Sequence, residues 1–308
     1  MALLEVKDLK VHYPIRGGLL GRVQGYVKAV DGISFTIDPK ETLGLVGESG
    51  SGKSTTGKAI LGLAHISSGQ ILFDGEDITA SVKKNRSQYR KDVQMIFQDA
   101  YSSLNPRKRV LDIIAEPLRN FEKLSKAEEE KRVHELLAIV GMSTAVAVKY
   151  PFEFSGGQRQ RIGVARSIAL KPKLIVADEP VSALDISVQA QVLNYLKDIQ
   201  EELGIAYLFV SHDLGVVKHM CENLAIMHNS RFVECGTRDD IYNKPKHIYT
   251  KRLIAAIPDI DPGKREENFK LRRELTERYN TKRSEYYTET GEVFDLKHID
   301  GKHFVAMP

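Results

Sequence analysis

A glycine-rich stretch has the residue types and spacing of a loop that binds phosphate. Residues 47–55, G-E-S-G-S-G-K-S-T, fit the pattern G-x-x-x-x-G-K-S/T. Glycines allow successive backbone N–H groups to turn towards a polyphosphate, and a helix that starts there adds the positive end of its dipole. Lys53 would lie against the β- and γ-phosphates, and the Ser54 hydroxyl would bind Mg²⁺. The loop residues predicted to bind the nucleotide are Gly47, Ser49, Gly50, Ser51, Gly52, Lys53, Ser54 and Thr55.

Two adjacent acids at the end of an apolar run form the second chemical feature. Leu174–Ala177 is followed by Asp178 and Glu179. Carboxylates at the carboxyl end of a buried strand lie where parallel sheets bind their ligands. Asp178 would hold Mg²⁺, and Glu179 would orient and deprotonate an attacking water as a general base. Acids are common at strand ends, so this pattern alone is only moderate evidence for a nucleotide site. It becomes strong evidence because the same sequence contains the phosphate loop.

The elements that must position these residues follow from the apolar patterning. Thr42–Val46 predicts a strand before the loop, and Lys53–Leu63 predicts a helix after it. Buried strands are also predicted at Val93–Phe97, Leu174–Ala177 and Ile205–Val210. The last two lead into helix-like segments, which indicates βα units and a largely parallel sheet.

The remaining segments surround this α/β core. Leu3–Val11 and Ile33–Ile37 alternate as half-buried strands do, and glycine-rich Arg16–Gly25 between them predicts a hairpin loop or insertion. Val110–Ala169 is almost entirely helical in pattern, which predicts an inserted helical subdomain. Within that insertion, Ser125 with Glu128 resembles a capping box, and Gly141 stands where glycine commonly ends a helix. Beyond Pro258 the chain turns polar, and we expect a small extension with short strand-like stretches.

Length, charge and cysteine content exclude several classes. The 308 residues suggest about two domains. A net charge of +4 is too weak to indicate nucleic-acid binding. Two cysteines exclude a disulfide framework and a four-cysteine metal site within this chain. Ala59–Phe73 is the longest stretch without charged residues and is shorter than the about 20 apolar residues that a membrane span needs, so none is expected.

The order of the motifs resembles that of the ATP-binding-cassette (ABC) ATPases. Gln98 and S-G-G-Q at 155–158 precede the paired acids, and S-A-L-D at 182–185 and S-H-D at 211–213 follow them. S-G-G-Q is the signature that separates this family from other P-loop proteins. The resemblance covers about residues 3–257 and implies an α/β fold of the P-loop NTPase type. It implies a RecA-like core, an antiparallel β subdomain and an inserted helical subdomain at about 99–169. Residues 1–257 would form the ATPase domain and 258–308 a C-terminal oligopeptide-transporter extension.

The resemblance also implies roles for residues around the chain's own nucleotide. Tyr13 resembles the aromatic residue that stacks on adenine, a contact worth about 1–3 kcal/mol per base. Gln98 would touch Mg²⁺ and the attacking water. His212 would contact the γ-phosphate and position Glu179, so that Glu179, His212 and Lys53 are the predicted catalytic residues.

A second group would act on the nucleotide of another subunit. Ser155, Gly156, Gly157 and Gln158, before a helix expected to begin near Gln158, would present N–H groups and a hydroxyl to its γ-phosphate. Asp185 would help to form that interface. Since the chain has one phosphate loop and one signature, it would need a second cassette.

Four segments resemble the oligopeptide and dipeptide importers more than cassettes in general. They are residues 98–107, residues 150–154, residues 178–191 and the run Asn243–Leu253, which matches an H-P-Y-T element except that Ile248 replaces proline. The cysteine cluster that many relatives carry is absent from this sequence. The tail around Gly301–Val305 looks like that of the F-type subunits of Gram-positive oligopeptide permeases.

This resemblance implies a peptide importer that uses ATP and Mg²⁺. Its expected partners are a second, homologous ABC ATPase subunit in a heterodimer, two transmembrane permeases and, indirectly, an extracellular peptide-binding lipoprotein, with no nucleic acid. The chain would be peripheral at the cytoplasmic face of the membrane. The alternatives are another cargo such as nickel, a soluble ABC ATPase acting on ribosomes or nucleic acid, and a regulatory cassette that binds ATP without hydrolysing it.

The segment from Gln98 to Tyr150 would receive a permease helix in such a complex. A group of basic residues would face anionic lipid or the permease, or would simply form a solvated charged face. They are Lys83, Lys84, Arg86, Arg90, Lys91, Arg107, Lys108 and Arg109.

Overall fold

A computed structural model describes residues 1–17, 21–81, 86–99, 103–257 and 265–308, which divide into two compact units. Unit 1 comprises Met1–Leu3, Ile37–Glu41 and Asp77–Leu208. Unit 2 comprises Leu4–Thr36, Thr42–Glu76 and Phe209–Pro308.

Unit 1 contains the strand that carries the paired acids. β7 (Leu174–Asp178) is buried at every position and pairs in parallel with β6 (Val93–Ile96). Two short helices, α2 (Ile78–Ser81) and α3 (Arg86–Asp92), precede β6. β8 (Ala206–Ser211) begins in this unit and ends in unit 2. The strands predicted at Val93–Phe97, Leu174–Ala177 and Ile205–Val210 are confirmed to within one residue at each end, because runs of branched apolar residues suit strands that are covered on both faces.

The inserted helices also belong to unit 1. They are α4 (Val110–Phe121), α5 (Lys126–Ile139) and α6 (Gly156–Ile168), with 3₁₀ turns at Thr144–Val148 and Pro151–Glu153. α4 packs against both α5 and α6, and α6 packs against α7 (Ile186–Leu203). The predicted Ser125–Glu128 capping box is present, and Gly141 adopts a left-handed conformation after α5 (φ 67°).

A leucine pair tests how much this helical core contributes to stability. Leu118 is fully buried on α4, whereas Leu124, in the connection to α5, is 38% exposed. Leu118→Ala is expected to lower the free energy of unfolding by about 2–5 kcal/mol, because it removes buried apolar surface and leaves a cavity. Leu124→Ala should cost much less. Urea unfolding curves check this, and equal midpoints for the two variants would contradict the described core.

Unit 2 contains an antiparallel sheet in the order β2-β1-β4-β5. Its strands are β1 (Leu4–Gly17), β2 (Arg22–Ile37), β4 (Ser68–Phe73) and β5 (Glu76–Asp77). The loop predicted at Arg16–Gly25 is therefore wrong in its extent, since β1 continues to Gly17 and β2 begins at Arg22. Glycine can pair through its backbone in a strand, so Gly25 does not interrupt β2. Residues 18–20 lie outside the described residues.

A second sheet in unit 2 carries the phosphate loop. β3 (Thr42–Val46) is parallel to β9 (Asn223–His228), and β9 pairs antiparallel with β10 (Arg231–Thr237). The C-terminal hairpin of β11 (Leu296–Asp300) and β12 (His303–Ala306) continues the sheet beyond β10. The helices of this unit are α1 (Lys53–Ile60), α8 (Leu214–Met220), α9 (Arg238–Asn243), α10 (Ile248–Ala255) and α11 (Arg265–Thr281).

Two helices of unit 2 differ from expectation: one ends earlier than predicted, and one was not predicted. α1 ends at Ile60, before the predicted Leu63, because Gly62 takes a left-handed conformation (φ 68°) and terminates the helix. α11 occupies 17 residues of the extension that was expected to hold only short strand-like stretches. Its charges are distributed around the helix without a broad apolar stripe, so periodicity gave no signal for it.

Candidate nucleotide site

The phosphate loop of unit 2 joins a fully buried strand to a helix start. β3 ends at Val46, and α1 begins at Lys53 after Gly52, whose φ is 110°. A Cβ on Gly52 would lie 2.2 Å from the carbonyl oxygen of Ala29, and a Cβ on Gly47 would lie 2.1 Å from that of Met227. Both positions therefore require glycine, and the loop is held close to the backbone on two sides.

Polar groups inside this loop suit an anionic ligand. The Lys53 side chain is buried, and its Nζ donates to the carbonyl oxygens of Gly47 (2.7 Å) and Glu48 (2.9 Å). The Ser51 hydroxyl is buried and has no hydrogen-bond partner among the described residues. An orphaned hydroxyl, an ammonium group and the start of α1 together fit a phosphate group.

A glycine substitution tests whether the close packing of the phosphate loop at Gly52, rather than any glycine replacement at a positive φ, is needed for ATP binding. Gly52→Ala is expected to abolish binding of a fluorescent ATP analogue to the full chain, because a Cβ would collide with the Ala29 carbonyl at a left-handed position. Gly62→Ala is the matched control, since Gly62 also has a positive φ but a Cβ there would meet nothing within 4 Å. Equal binding by the two variants would contradict the described loop.

One of the paired acids of unit 1, Glu179, is hydrogen-bonded to Gln98. Asp178 is the last residue of β7 and is buried. The Gln98 Nε2 donates to the Glu179 Oε2 at 2.9 Å. Glu179 has a positive φ of 47°, a conformation that costs a non-glycine residue about 1–3 kcal/mol and is common at functional sites. Unit 1 therefore brings together an amide and a carboxylate suited to orienting a water.

The signature lies at the start of α6. The helix begins at Gly156, two residues before the predicted Gln158, because Ser155 is its N-cap. The Ser155 Oγ accepts from the Gln158 N–H, and the Gln158 Oε1 accepts from the Ser155 N–H at 3.1 Å. Ser155 and Gly156 are exposed, so the positive end of this 13-residue helix faces outwards.

Asp185 precedes a helix that packs against the signature helix. It is exposed and is the N-cap residue of α7. A Cβ on Gly157 would lie 2.4 Å from the Val188 side chain on α7, so the signature helix packs tightly against the segment after Asp185. The structure thus joins these two predicted interface elements.

Two further predicted residues lie in unit 2 with the phosphate loop. His212 is exposed in the turn between β8 and α8, where the Asp213 Oδ1 accepts from the Gly215 N–H at 2.7 Å and caps α8. Tyr13 lies on β1 and is 44% exposed. The roles of both stay predictions.

Some predicted segments are only partly described. Ala100, Tyr101 and Ser102 of the importer-like segment, and Lys83 and Lys84 of the basic group, lie outside the described residues. Arg90, Arg107 and Arg109 are exposed, whereas Lys91 and Lys108 form ion pairs with Glu122 and Glu116. Lipid or permease binding by this group stays a prediction.

The phosphate loop also contacts residues whose importance the sequence did not reveal. Tyr249 and Arg252 on α10 bind Glu48, although they lie about 200 positions further along the chain. Their segment was noted only as a subgroup marker, and no spacing rule connects it to the loop.

One other cluster of potential metal ligands occurs among the described residues. Atoms of Asp240, Asp300 and His303 lie within 4.8 Å of one another. Asp240 caps α9 by accepting from Thr237, and the His303 Nε2 is 2.8 Å from the Glu234 Oε1. These bonds account for the positions of Asp240 and His303 without a metal. In the described part of the chain, every helix is too short or too polar to traverse a bilayer.

Comparisons with known proteins agree with the motif order. The family model "ABC transporter" matches residues 30–182, and "Oligopeptide/dipeptide transporter, C-terminal region" matches residues 233–289. The second match spans the predicted boundary at 258, which stays a prediction. The chain is 58% identical over 306 residues to the oligopeptide transport ATP-binding protein OppF of Lactococcus lactis subsp. lactis (strain IL1403), covering 99% of this chain and 96% of that protein.

Two solved structures share the fold. CbiO1 from Clostridium perfringens, described as part of the ABC transporter complex cbiONQ, aligns with a TM-score of 0.69 and 27% identity over 82% of this chain and 95% of that chain. The ATP-binding cassette MJ0796, described as a dimeric post-hydrolysis state bound to ADP and Pi, aligns with a TM-score of 0.68 and 26% identity over 76% and 98%. The predicted ABC ATPase fold and family are confirmed. The chain therefore belongs to the ABC transporter family, in the group of ATPase subunits that serve oligopeptide and dipeptide importers.

Proposed function

We propose that this chain hydrolyses ATP at a site completed by a second, homologous cassette and thereby powers peptide import through two membrane permeases. The observation that carries the proposal is the exposed start of α6. Ser155 and Gly156 are exposed to solvent at a helix end suited to a phosphate, while the phosphate loop occupies a different helix end. One chain thus supplies two half-sites. The dimeric description of MJ0796 supports this pairing.

In this proposal, some residues of the chain bind the nucleotide and others transfer the proton of the attacking water. Lys53 and the loop N–H groups would bind the β- and γ-phosphates, with Tyr13 against the adenine and His212 at the γ-phosphate. Gln98 holds the Glu179 carboxylate, which would accept the proton of the attacking water. These roles explain why Glu179, a residue with a strained backbone and an amide partner for its carboxylate, follows directly after β7.

Magnesium fits the oxygen-rich groups that the motifs provide. Ser54, Gln98 and Asp178 would hold the ion through hydroxyl, amide and carboxylate oxygens, which are the ligands it prefers. When bound, Mg²⁺ neutralises charge on the phosphate oxygens.

The proposed complex places the chain peripherally at the cytoplasmic face of the membrane. Its partners would be the second ABC ATPase, the two permeases and, indirectly, an extracellular peptide-binding lipoprotein, with no nucleic acid. The family match at 233–289 supports this set over ribosomes or nucleic acid.

Co-purification from native membranes tests the proposed function. A tagged chain should recover a homologous ATPase and two permeases, and peptide with its binding protein should stimulate ATP hydrolysis by the reconstituted complex. Recovery of ribosomes or DNA without permeases would contradict the proposal.

A further inference from the structure

Glu48, the second residue of the phosphate loop, is bound from outside the loop by α10. Its N–H donates to the Tyr249 hydroxyl at 3.0 Å, and its Oε1 lies 2.6 Å from the Arg252 Nη2. Its carbonyl oxygen accepts from the Lys53 Nζ at 2.9 Å. One loop residue therefore joins the lysine predicted to bind phosphate to two side chains of the C-terminal region.

Arg252 and Tyr249 are fixed by their surroundings. Tyr249 is fully buried, and the Arg252 guanidinium lies 5.2 Å from the centre of its ring and 4.3 Å from that of Tyr279 on α11. Such stacking restricts the guanidinium and favours one direction for its hydrogen bonds. The pair therefore presents a preorganised contact to the loop.

Behind this contact lie two tyrosines, Tyr279 and Tyr287, and the uncharged histidine His228. The hydroxyls of Tyr279 and Tyr287 lie 3.4 and 3.0 Å from nitrogens of His228. Burial, and then the positive charges of Arg252 and Arg283, lower the pKa of His228 to about 4, so it is neutral at physiological pH. Within this cluster, Arg252 supplies the positive charge that contacts Glu48.

α11 is attached to the end of α10 that follows Arg252. The Arg272 guanidinium of α11 donates to the carbonyl oxygens of Ala255 and Ile257, the latter at 2.9 Å. Ala255 is the last residue of α10, and Ile257 follows the cap residue Ala256, so both carbonyls lie at a helix end where partners outside the helix are needed. The C-terminal helix therefore supports the residues that bind Glu48.

We propose that Arg252 and Tyr249 are positioning residues that hold the phosphate loop in the conformation that binds ATP. The inference rests on the proposed role of this loop in ATP binding. The Tyr249 hydroxyl accepts from the Glu48 backbone N–H, whereas Arg252 holds the Glu48 side chain and compensates a carboxylate that would repel phosphate. Both side chains of this ion pair are partly exposed, at 23% for Arg252 and 54% for Glu48, so screening limits the charge effect and positioning dominates.

Kinetics of the reconstituted transporter test the inference. Arg252→Ala is expected to raise the KM for ATP about three- to ten-fold while kcat changes less than about two-fold, because the loop is displaced but Glu179 is not. Glu48→Ala removes the side chain that Arg252 binds, so Arg252→Ala should have less than about a two-fold further effect in that background. Arg273→Ala is the matched control. Among the described residues, Arg273 forms an ion pair only with Glu277, which lies on the same helix.

The outcomes separate positioning from a purely structural role. An equal rise in KM from Arg252→Ala with and without Glu48→Ala would overturn the inference, as would a lower melting temperature with an unchanged KM. If Arg252→Ala does not fold, Tyr249→Phe decides, because it removes only the hydroxyl that binds Glu48 and should still raise KM. Normal ATP binding by Lys53→Met would instead refute the proposed role of the loop itself.

Discussion

Glu179→Gln is expected to lower the rate of ATP hydrolysis by about 10²- to 10⁴-fold, the usual contribution of a general base. The amide has the same shape as the carboxylate and can still accept a hydrogen bond from Gln98, which lies 2.9 Å away. ATP binding should therefore persist, and the variant should accumulate as an ATP-bound dimer with its partner cassette. Single-turnover rates and size-exclusion chromatography with ATP measure both effects.

The control for this substitution is an exposed acid of the same unit. Glu201 lies near the end of α7, away from the predicted site motifs, and Glu201→Gln makes the same chemical change. Its turnover should equal that of the unchanged protein. Normal turnover in Glu179→Gln would remove Glu179 from the role of base.

Lys53→Met is expected to have the second large effect, on ATP binding. Lys53 is buried at the start of α1, and its ammonium already donates two hydrogen bonds within the loop. Each hydrogen bond to a charged group is worth about 1.5–3 kcal/mol, so losing contacts to two phosphates should weaken ATP binding about 100-fold or more.

Lys58 gives a matched control on the same helix. It is exposed, so Lys58→Met removes a positive charge without changing the loop. Equilibrium titration with a fluorescent ATP analogue measures both dissociation constants. Equal constants for Lys53→Met and Lys58→Met would contradict the phosphate-binding role.

The sequence predicted the elements whose causes are local. Thr42–Val46 is an apolar run before a glycine-rich turn, so β3 and the start of α1 follow from neighbouring residues. Ser125 and Glu128 form their capping box within one helical turn. The acids after β7 likewise mark the end of a buried strand.

The missed features depend on residues that are distant in sequence or lack periodicity. Arg252 reaches Glu48 across 204 positions, and only the folded sheet of unit 2 brings them together. α11 is supported by Arg272 and Tyr279 rather than by a wide apolar face. The proximity of Gln98 to Glu179 was implied by family resemblance, since neither spacing nor periodicity indicates it.

A structure of the Glu179→Gln transporter complex with ATP and Mg²⁺ would show whether each ATP site is shared between two cassettes. We expect one nucleotide between residues 47–55 of this chain and the partner's signature. A second nucleotide should lie between Ser155–Gln158 of this chain and the partner's phosphate loop. Nucleotides held by phosphate loops alone, with both signatures exposed to solvent in this trapped complex, would contradict a shared ATP site.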